Sequence, residues 1–86
     1  MYSVQFSKQA QKDIALLKQA GLTQKSKALV EIIKHNPYQN PPPYKKLVGD
    51  LEGYLSQRIN IQHRLVYKVA EDEQAVKVYR MWSHYE

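Results

Sequence analysis

The sequence predicts a small α+β domain in which an N-terminal strand and a helical hairpin pack on an antiparallel sheet. Three observations favour this class. Apolar and polar residues alternate at the start of the chain and again beyond residue 54, which is the period of a β-strand. Between these stretches, apolar residues recur at the period of a helix. The expected element order is β-α-α-β-β-β, and a chain of 86 residues leaves room for one domain, residues 1–86.

Local signals place the first three elements. Residues 2–6 alternate as a short strand, and Ser7 is suited to cap the first helix. Gly21 suits the end of that helix, Thr23 is suited to cap the second helix, and Pro37 stops it. The helix residues expected to face the sheet are Ala10, Ile14, Leu17, Ala28, Leu29, Ile32 and Ile33.

The second half of the chain predicts three strands. Residues 36–44 are rich in proline, and we expect a loop held to the domain by its aromatic neighbours rather than a polyproline ligand. Residues 54–61 and 64–69 predict a hairpin with one apolar and one polar face. An acidic turn at residues 71–74 precedes the last strand, residues 75–82. One face of this strand carries Val76, Val78, Arg80 and Trp82.

The composition excludes several classes of protein. No cysteine is present, which rules out disulfides and thiolate chemistry and agrees with a reducing compartment. No window is long and apolar enough to span a membrane, and the N-terminus lacks a secretion signal, so we expect a soluble cytoplasmic protein. The histidines His35, His63 and His84 lack the spacing of metal ligands. We therefore expect no metal site.

The net charge of +5 is unevenly distributed along the chain. Residues 1–49 carry eight lysines and two acidic residues, a balance of +6, whereas residues 50–86 carry five basic and six acidic residues, a balance of −1. A basic surface of this kind suits nucleic acid or an acidic protein. A solvated lysine face on two helices explains the same counts, and this alternative stays open.

Seven residues of the second half are compatible with one face of the sheet: Lys45, Lys46, Arg58, Arg64, Arg80, His84 and Tyr85. Their types suit RNA cleavage without a metal, which needs a base for the 2′-hydroxyl, cations around the phosphorane and an acid for the leaving oxygen. Histidine is the natural acid near neutral pH, and tyrosine is suited to stack on a base. In the alternative interpretation, the last residues form a frayed end and Arg80 pairs with the acidic turn.

Three stretches, residues 46–53, 58–67 and 81–85, resemble the Txe/YoeB family of bacterial toxins in the RelE/ParE superfamily. The similarity covers nearly the whole chain, and its most specific parts are the H-R-L-V-Y strand and the terminal His-Tyr pair. It implies a RelE-like fold and an mRNA endoribonuclease that acts in the A site of the 70S ribosome. It also implies neutralisation by a YefM/Axe-type antitoxin, and no metal or organic cofactor.

The resemblance implies a role for each matching residue. Arg64 would stabilise the scissile phosphate. His84 would be the general acid that protonates the leaving group, and Tyr85 would orient the RNA. The residues expected to contact RNA are Lys46, Arg58 and Arg80.

Lys45 departs from the family, which usually has a glutamate at this position. A protonated lysine accepts no proton, so three hypotheses are open. In the first, Lys45 is the base, because nearby cations disfavour its ammonium form. In the second, a carboxylate such as Asp50 or Glu52 is the base. In the third, the lysine attenuates a toxin that still binds its antitoxin and the ribosome but cleaves poorly.

Two other functions compete with the nuclease. One is a ParE-like scaffold that inhibits a different target such as gyrase, and the other is a non-catalytic module that binds RNA or an antitoxin. The terminal His84 and Tyr85 favour the nuclease, whereas Lys45 favours the non-catalytic module. Homodimers occur in this family, so a second copy of the chain is a further candidate partner.

Overall fold

Two helices cover one face of a five-stranded sheet in the computed structural model, which describes residues 1–41 and 43–82. In chain order the elements are β1 (Ser3–Phe6), α1 (Lys8–Gln19), α2 (Thr23–His35), β2 (Tyr44–Lys46), β3 (Leu55–Arg58), β4 (Arg64–Ala70) and β5 (Ala75–Arg80). Single 3₁₀ turns, Gly49–Leu51 and Glu71–Glu73, precede β3 and β5. The predicted α+β class is confirmed.

The strand order is β1-β5-β4-β3-β2, so the first and last strands of the sequence are neighbours. β1 runs parallel to β5, so the predicted antiparallel sheet is wrong for this pair. The other three pairs are antiparallel, and those of β3 with β4 and of β4 with β5 were predicted. The sheet is therefore mixed. The sequence did not indicate the parallel pair, because alternation with a period of two is common to parallel and antiparallel strands and does not distinguish them. β2 is an additional strand, in a stretch from which the sequence predicted only a connection into the hairpin.

α1 begins where the sequence indicated. Ser7 is its N-cap, and the Ser7 hydroxyl accepts a hydrogen bond of 3.0 Å from the amide three residues further on. Gly21 follows the helix with a φ of +73°, in the left-handed region that favours glycine. The predicted apolar stripe is wrong at one position, since Ile14 is 42% exposed and Asp13 is buried in its place. The reason is an ion pair with Arg80 of β5.

The predicted cap of α2 is wrong by one residue. Leu22 is the N-cap and no side chain caps the helix, while Thr23 is the first helical residue. Ser26 is buried, and its hydroxyl donates to the carbonyls of Leu22 and Thr23 at 2.9 and 3.0 Å. These bonds satisfy a polar group on the sheet-facing side of the helix. The helix ends at His35, before Pro37, as predicted.

Both helices are short, with 12 residues in α1 and 13 in α2. Within the described ranges, no helix has the length and apolar character needed to cross a bilayer. The helices instead bury their apolar side chains against the sheet. The largest fully buried apolar residues of this core are Leu17, Ile33, Leu65, Tyr67, Val76 and Val78.

The loop between α2 and β2 is held to the domain at both ends. The buried Tyr67 hydroxyl donates a hydrogen bond of 2.8 Å to the carbonyl of Pro37. The rings of Tyr38 and Tyr44 lie 6.4 Å apart in an edge-on arrangement. The prediction that aromatic residues hold this loop is confirmed by these contacts, and Pro42 lies outside the described residues.

Candidate functional site

A groove of about 790 Å³ lies at the end of the sheet where β2 begins, β3 ends and β4 begins. The first turn of α2 closes its side through Lys25. The lining residues are Lys25, Pro43, Tyr44, Lys45, Ser56, Arg58, Ile59, Asn60, Ile61 and Arg64. Four of these side chains are cationic, and none of the ten is a carboxylate.

Strand register brings three of the predicted site residues to one face of the sheet. Lys45 of β2 lies opposite Ser56 of β3, and Arg58 lies two residues beyond Ser56 and opposite Arg64 of β4. Because side chains alternate along a strand, Lys45, Arg58 and Arg64 share a face. Like charges held this close repel one another, and an anion between them relieves the repulsion. Guanidinium groups present paired donors that match phosphate oxygens.

The turn between β3 and β4 fixes the two arginines relative to each other. The side-chain oxygen of Asn60 accepts hydrogen bonds from the amides of Gln62 and His63 at 2.9 and 2.7 Å. The carbonyl of His63 accepts from the amides of Ile59 and Asn60 at 2.9 and 3.3 Å. These bonds close a rigid turn, and Ile61 at its tip is 80% exposed beside the groove.

Sequence reasoning missed Lys25, Asn60 and Ile61 as parts of the site. Asn60 carries a local signal, because asparagine often accepts hydrogen bonds from the backbone two residues further on and so forms turns. Ile61 was expected to face the core, but the strand ends at Arg58 and the turn points it outward. Lys25 lies on another element, so only the tertiary structure brings it to the groove.

Lys46 and Arg80 do not line the groove. The expectation that they share one face of the sheet with Lys45, Arg58 and Arg64 is wrong for both. Lys46 is opposite Leu55 in the sheet and therefore points to the other side of β2 from Lys45. Arg80 faces α1, where its Nε donates to Asp13 Oδ2 at 2.8 Å and its Nη2 donates to Oδ1 at 3.4 Å. The bulge between β4 and β5 shifts the register beside Arg80.

The acidic turn has partners other than Arg80. Glu71 Oε1 accepts hydrogen bonds from the hydroxyls of Tyr2 at 2.7 Å and Tyr38 at 3.4 Å. The bond to Glu71 raises the pKa of Tyr2 above its ordinary value, while burial and the same carboxylate raise the pKa of Tyr38. Glu73 pairs with Lys77 at 3.3 Å. The turn is thus tied to β1, to the α2–β2 loop and to β5.

The remaining predicted site residues, His84 and Tyr85, lie outside the described residues. The last residue described is Trp82, whose ring stacks on the imidazole of His63 with 3.6 Å between centroids and 17° between planes. The chain therefore leaves β5 in contact with the turn that precedes Arg64.

The candidate carboxylate bases are far from the groove along the sheet. Asp50 lies in the 3₁₀ turn that follows β2, and Glu52 is the residue that ends this turn. β2 and β3 are antiparallel, so this turn adjoins Leu55 at the start of β3, whereas Arg58 ends that strand at the groove. Within residues 1–41 and 43–82, no three His, Asp or Glu side chains are grouped to hold a metal ion.

The fold and the groove define a small α+β protein with a cationic surface suited to a polyanion. Residues 6–85 match a family described as the YoeB-like toxin of bacterial type II toxin-antitoxin systems. Because this match covers nearly the whole chain, the protein belongs to the family of YoeB-like toxins.

Similar toxins and solved structures agree with this family assignment. Toxin YoeB of Streptomyces coelicolor is 38% identical over 52 residues, which are 60% of this chain and 62% of that toxin, so the similarity spans less than two thirds of the relative. The structure of a YoeB-YefM complex from Staphylococcus aureus is 32% identical, with a TM-score of 0.81 and 99% of both chains covered. That of a YoeB dimer from the same organism is 31% identical, with a TM-score of 0.80 and 98% of both chains covered.

Proposed function

We propose that this protein is the toxin of a type II toxin-antitoxin system and cleaves mRNA in the ribosomal A site of the bacterial cytoplasm. The observation that carries the proposal is the groove in which Lys45, Arg58 and Arg64 share one face beside Lys25. Four cations around an open cleft suit the phosphates of an RNA strand. The ribosome as the place of action is part of the proposal, and membership of the YoeB-like toxin family supports it.

In the proposed reaction the 2′-oxygen of the RNA attacks the adjacent phosphorus and the bond to the 5′-oxygen breaks. The phosphorane formed on the way carries extra negative charge, which Arg64 and Arg58 stabilise because guanidinium stays charged at physiological pH. His84 donates a proton to the leaving 5′-oxygen, and Tyr85 orients the RNA. A general base takes the proton from the 2′-hydroxyl.

The base is the open part of the mechanism. Among the described residues, the groove offers Lys45 and no carboxylate. The turn that carries Asp50 and Glu52 adjoins the opposite end of β3, which disfavours these residues as the base. Two hypotheses then compete: Lys45 is the base, or Lys45 attenuates the toxin.

Cleavage of a programmed mRNA on purified ribosomes separates these hypotheses. The unchanged protein is compared with Lys45→Glu, His84→Ala and Arg64→Ala, and Lys68→Ala, outside the groove, serves as a charge-matched control. If Lys45 is the base, the unchanged protein cleaves and Lys45→Glu brings no large gain. If Lys45 attenuates the toxin, Lys45→Glu cleaves much faster.

In either case the two site variants have defined consequences. In whichever background cleaves, His84→Ala lowers the rate about 10²- to 10⁴-fold, as expected for loss of a general acid, and Arg64→Ala lowers it about 10²- to 10³-fold. Lys68→Ala leaves the rate unchanged. No cleavage by either the unchanged protein or Lys45→Glu contradicts the nuclease proposal.

The partner proposed for neutralisation is a YefM/Axe-type antitoxin, and the S. aureus YoeB-YefM complex has a toxin of this fold. A disordered acidic segment would lay carboxylates over Arg58 and Arg64 and thereby occupy the groove. Binding of this kind weakens as salt rises. We propose self-association as a second assembly, by likeness to the S. aureus YoeB dimer.

A non-catalytic module that binds RNA or the antitoxin is the second candidate function. The absence of any carboxylate from the groove lining, within the described part of the chain, favours it. This function predicts ribosome binding without cleavage. Sedimentation of the unchanged protein with ribosomes, in the same samples used for the cleavage assay, distinguishes the two.

A further inference from the structure

Two tyrosine rings lie on the face of the sheet that the helices leave uncovered. Tyr79 lies between Val78 and Arg80 of β5, which face the core and α1, so its ring lies on the opposite face. The ring of Tyr54, directly before β3, lies 5.5 Å from that of Tyr79 and is inclined to it by 52°. Tyr79 is 37% exposed and Tyr54 is half-buried. Exposed rings on a sheet are suited to stack on the bases of single-stranded RNA.

A cleft of about 230 Å³ adjoins these rings, and its lining residues include Gln5, Tyr54, Lys77 and Tyr79. Gln5 of β1 lies opposite Lys77 of β5 and is exposed. Its side-chain amide has both donors and an acceptor, which suits the polar edge of a base. Lys77 is paired with Glu73 at 3.3 Å. The cleft thus combines a ring for stacking with an uncharged polar group for the edge of a base.

The rings share their face of the sheet with the cationic groove. Tyr54, Ser56 and Arg58 follow one another at every second position, and Lys45 lies opposite Ser56 on the same face. Tyr54 and Arg58 are four residues apart along extended chain, a distance of about 13 Å. An RNA strand whose phosphates lie in the groove therefore reaches the rings when it continues along β3.

We propose that the cleft beside Tyr79 binds a base of the same single-stranded RNA whose phosphates lie in the groove. Tyr79 is the stacking ring, because the Lys68 ammonium already lies over the Tyr54 ring, 5.7 Å from its centroid. Tyr54 supports Tyr79 from the side. The ligand is single-stranded because only unpaired bases can leave their stack for a protein ring. This inference rests on the proposed function, since it takes RNA as the ligand of the groove.

Fluorescence anisotropy with a labelled single-stranded RNA of about eight nucleotides tests the stack. Tyr79→Ala weakens binding about 5- to 100-fold, which is the loss expected for one stacked base. Tyr79→Phe keeps a ring and binds within about twofold of the unchanged protein. The dependence on salt stays the same in Tyr79→Ala, because no charge is removed. Equal binding by Tyr79→Ala and the unchanged protein overturns the inference.

An oligonucleotide of the same length without bases separates stacking from a general change in the protein. It keeps its phosphates, so the groove still binds it and Tyr79→Ala leaves its affinity unchanged. An equal loss with this strand overturns the inference. Tyr2→Ala is the control variant, because Tyr2 packs against the core on the helix side of the sheet, and its RNA affinity is unchanged. Circular dichroism verifies the fold of each variant.

Photo-crosslinking tests the same contact in the unchanged protein. RNA that carries iodouridine is expected to crosslink to Tyr79, identified by mass spectrometry, and crosslinks confined to other residues overturn the inference. The ribosome assay separates this result from the proposed function. Base-dependent binding without cleavage contradicts the nuclease alone, whereas cleavage together with RNA binding that ignores Tyr79→Ala overturns only the base site. An unchanged protein that binds no free RNA also overturns the base site.

Discussion

Asp13 is a fully buried carboxylate on the helix face that was expected to be apolar. It accepts hydrogen bonds from Arg80 and from the amide of Met81. A buried charge is tolerated when it is paired and hydrogen-bonded. A single side chain thus joins α1 to the last strand, near the point where the chain leaves the sheet toward Trp82.

Asp13→Ala is expected to lower the free energy of unfolding by about 3 kcal/mol, because it removes a buried acceptor and leaves Arg80 without this partner. Asp13→Asn keeps an oxygen that can accept from the Met81 amide, so its loss is smaller. Urea unfolding of the two variants measures both values. Equal stability of Asp13→Ala and the unchanged protein contradicts the prediction.

Tyr67 carries the second residue-scale prediction, which concerns pH. Burial is the main cause that raises the pKa of Tyr67 above its ordinary value, with the nearby Tyr44 and Tyr38 adding to it. The folded protein therefore favours the neutral phenol. The stability linked to this group is fully present below pH of about 10, the ordinary value for tyrosine, and is lost as pH rises above that value.

Tyr67→Phe is expected to make the decline of stability above pH 10 shallower, by up to about 1.4 kcal/mol per pH unit. At neutral pH the variant loses about 1 to 2 kcal/mol, because the carbonyl of Pro37 loses its donor. Urea unfolding at pH 8 to 11 measures both effects. Tyr79→Phe, which removes a phenol hydroxyl at a partly exposed strand position, is the matched control.

At the scale of the elements, Ser7 connects α1 with β5. Its hydroxyl accepts from the amide of Ala10 at 3.0 Å and donates to the carbonyl of Tyr79 at 2.7 Å. The start of the helix is therefore capped and attached to the sheet by the same atom. α2 has no side-chain cap, so its start depends on packing instead.

Ser7→Ala is expected to cost about 1 to 2 kcal/mol of stability, since it removes the cap and the bond to β5 together. Thr23→Ala is the matched control. Thr23 lies one residue beyond the N-cap of α2, and its replacement changes stability by less than about 0.5 kcal/mol. Thermal and urea unfolding compare the two; a larger loss for Thr23→Ala contradicts the capping assignment.

At the scale of the whole molecule, charge from distant parts of the sequence meets at one end of the sheet. Lys25 comes from α2, Lys45 from β2, and Arg58 and Arg64 from the β3–β4 hairpin. The net charge of +5 supplies a long-range attraction for a polyanion, and the groove supplies the local one. Binding of RNA should therefore depend steeply on salt.

A single-stranded oligonucleotide that contacts three or four of these cations should bind about 15- to 50-fold more weakly at 200 mM than at 50 mM salt, because each neutralised phosphate contributes about −0.7 to the logarithmic slope. Arg58→Ala should reduce that slope by about 0.7. Lys68 lies over the Tyr54 ring and outside the groove, so Lys68→Ala should leave the salt slope unchanged. Fluorescence anisotropy against salt measures the slopes.

The sequence alone determined the order and type of the main elements, because strand and helix periods, the Ser7 cap, Gly21 and Pro37 are local signals. It also predicted one face for seven residues, of which the sheet brings Lys45, Arg58 and Arg64 together, whereas Lys46 and Arg80 lie elsewhere. Alternation along a strand indicates which residues share a face, but it indicates neither the neighbouring strand nor its direction. The parallel β1–β5 pair and the three-residue β2 could therefore be identified only in the folded structure.

Only the tertiary structure decided which charges meet. Arg80 shares one face of β5 with Val76 and Val78, and nothing local indicates that Asp13, 67 positions away, accepts a hydrogen bond from it. Lys25 comes from α2 and yet lines the same groove as residues of the hairpin, and the stack of Trp82 on His63 joins segments far apart in the sequence. Such long-range contacts depend on how elements are packed, which residue type and spacing do not encode by themselves.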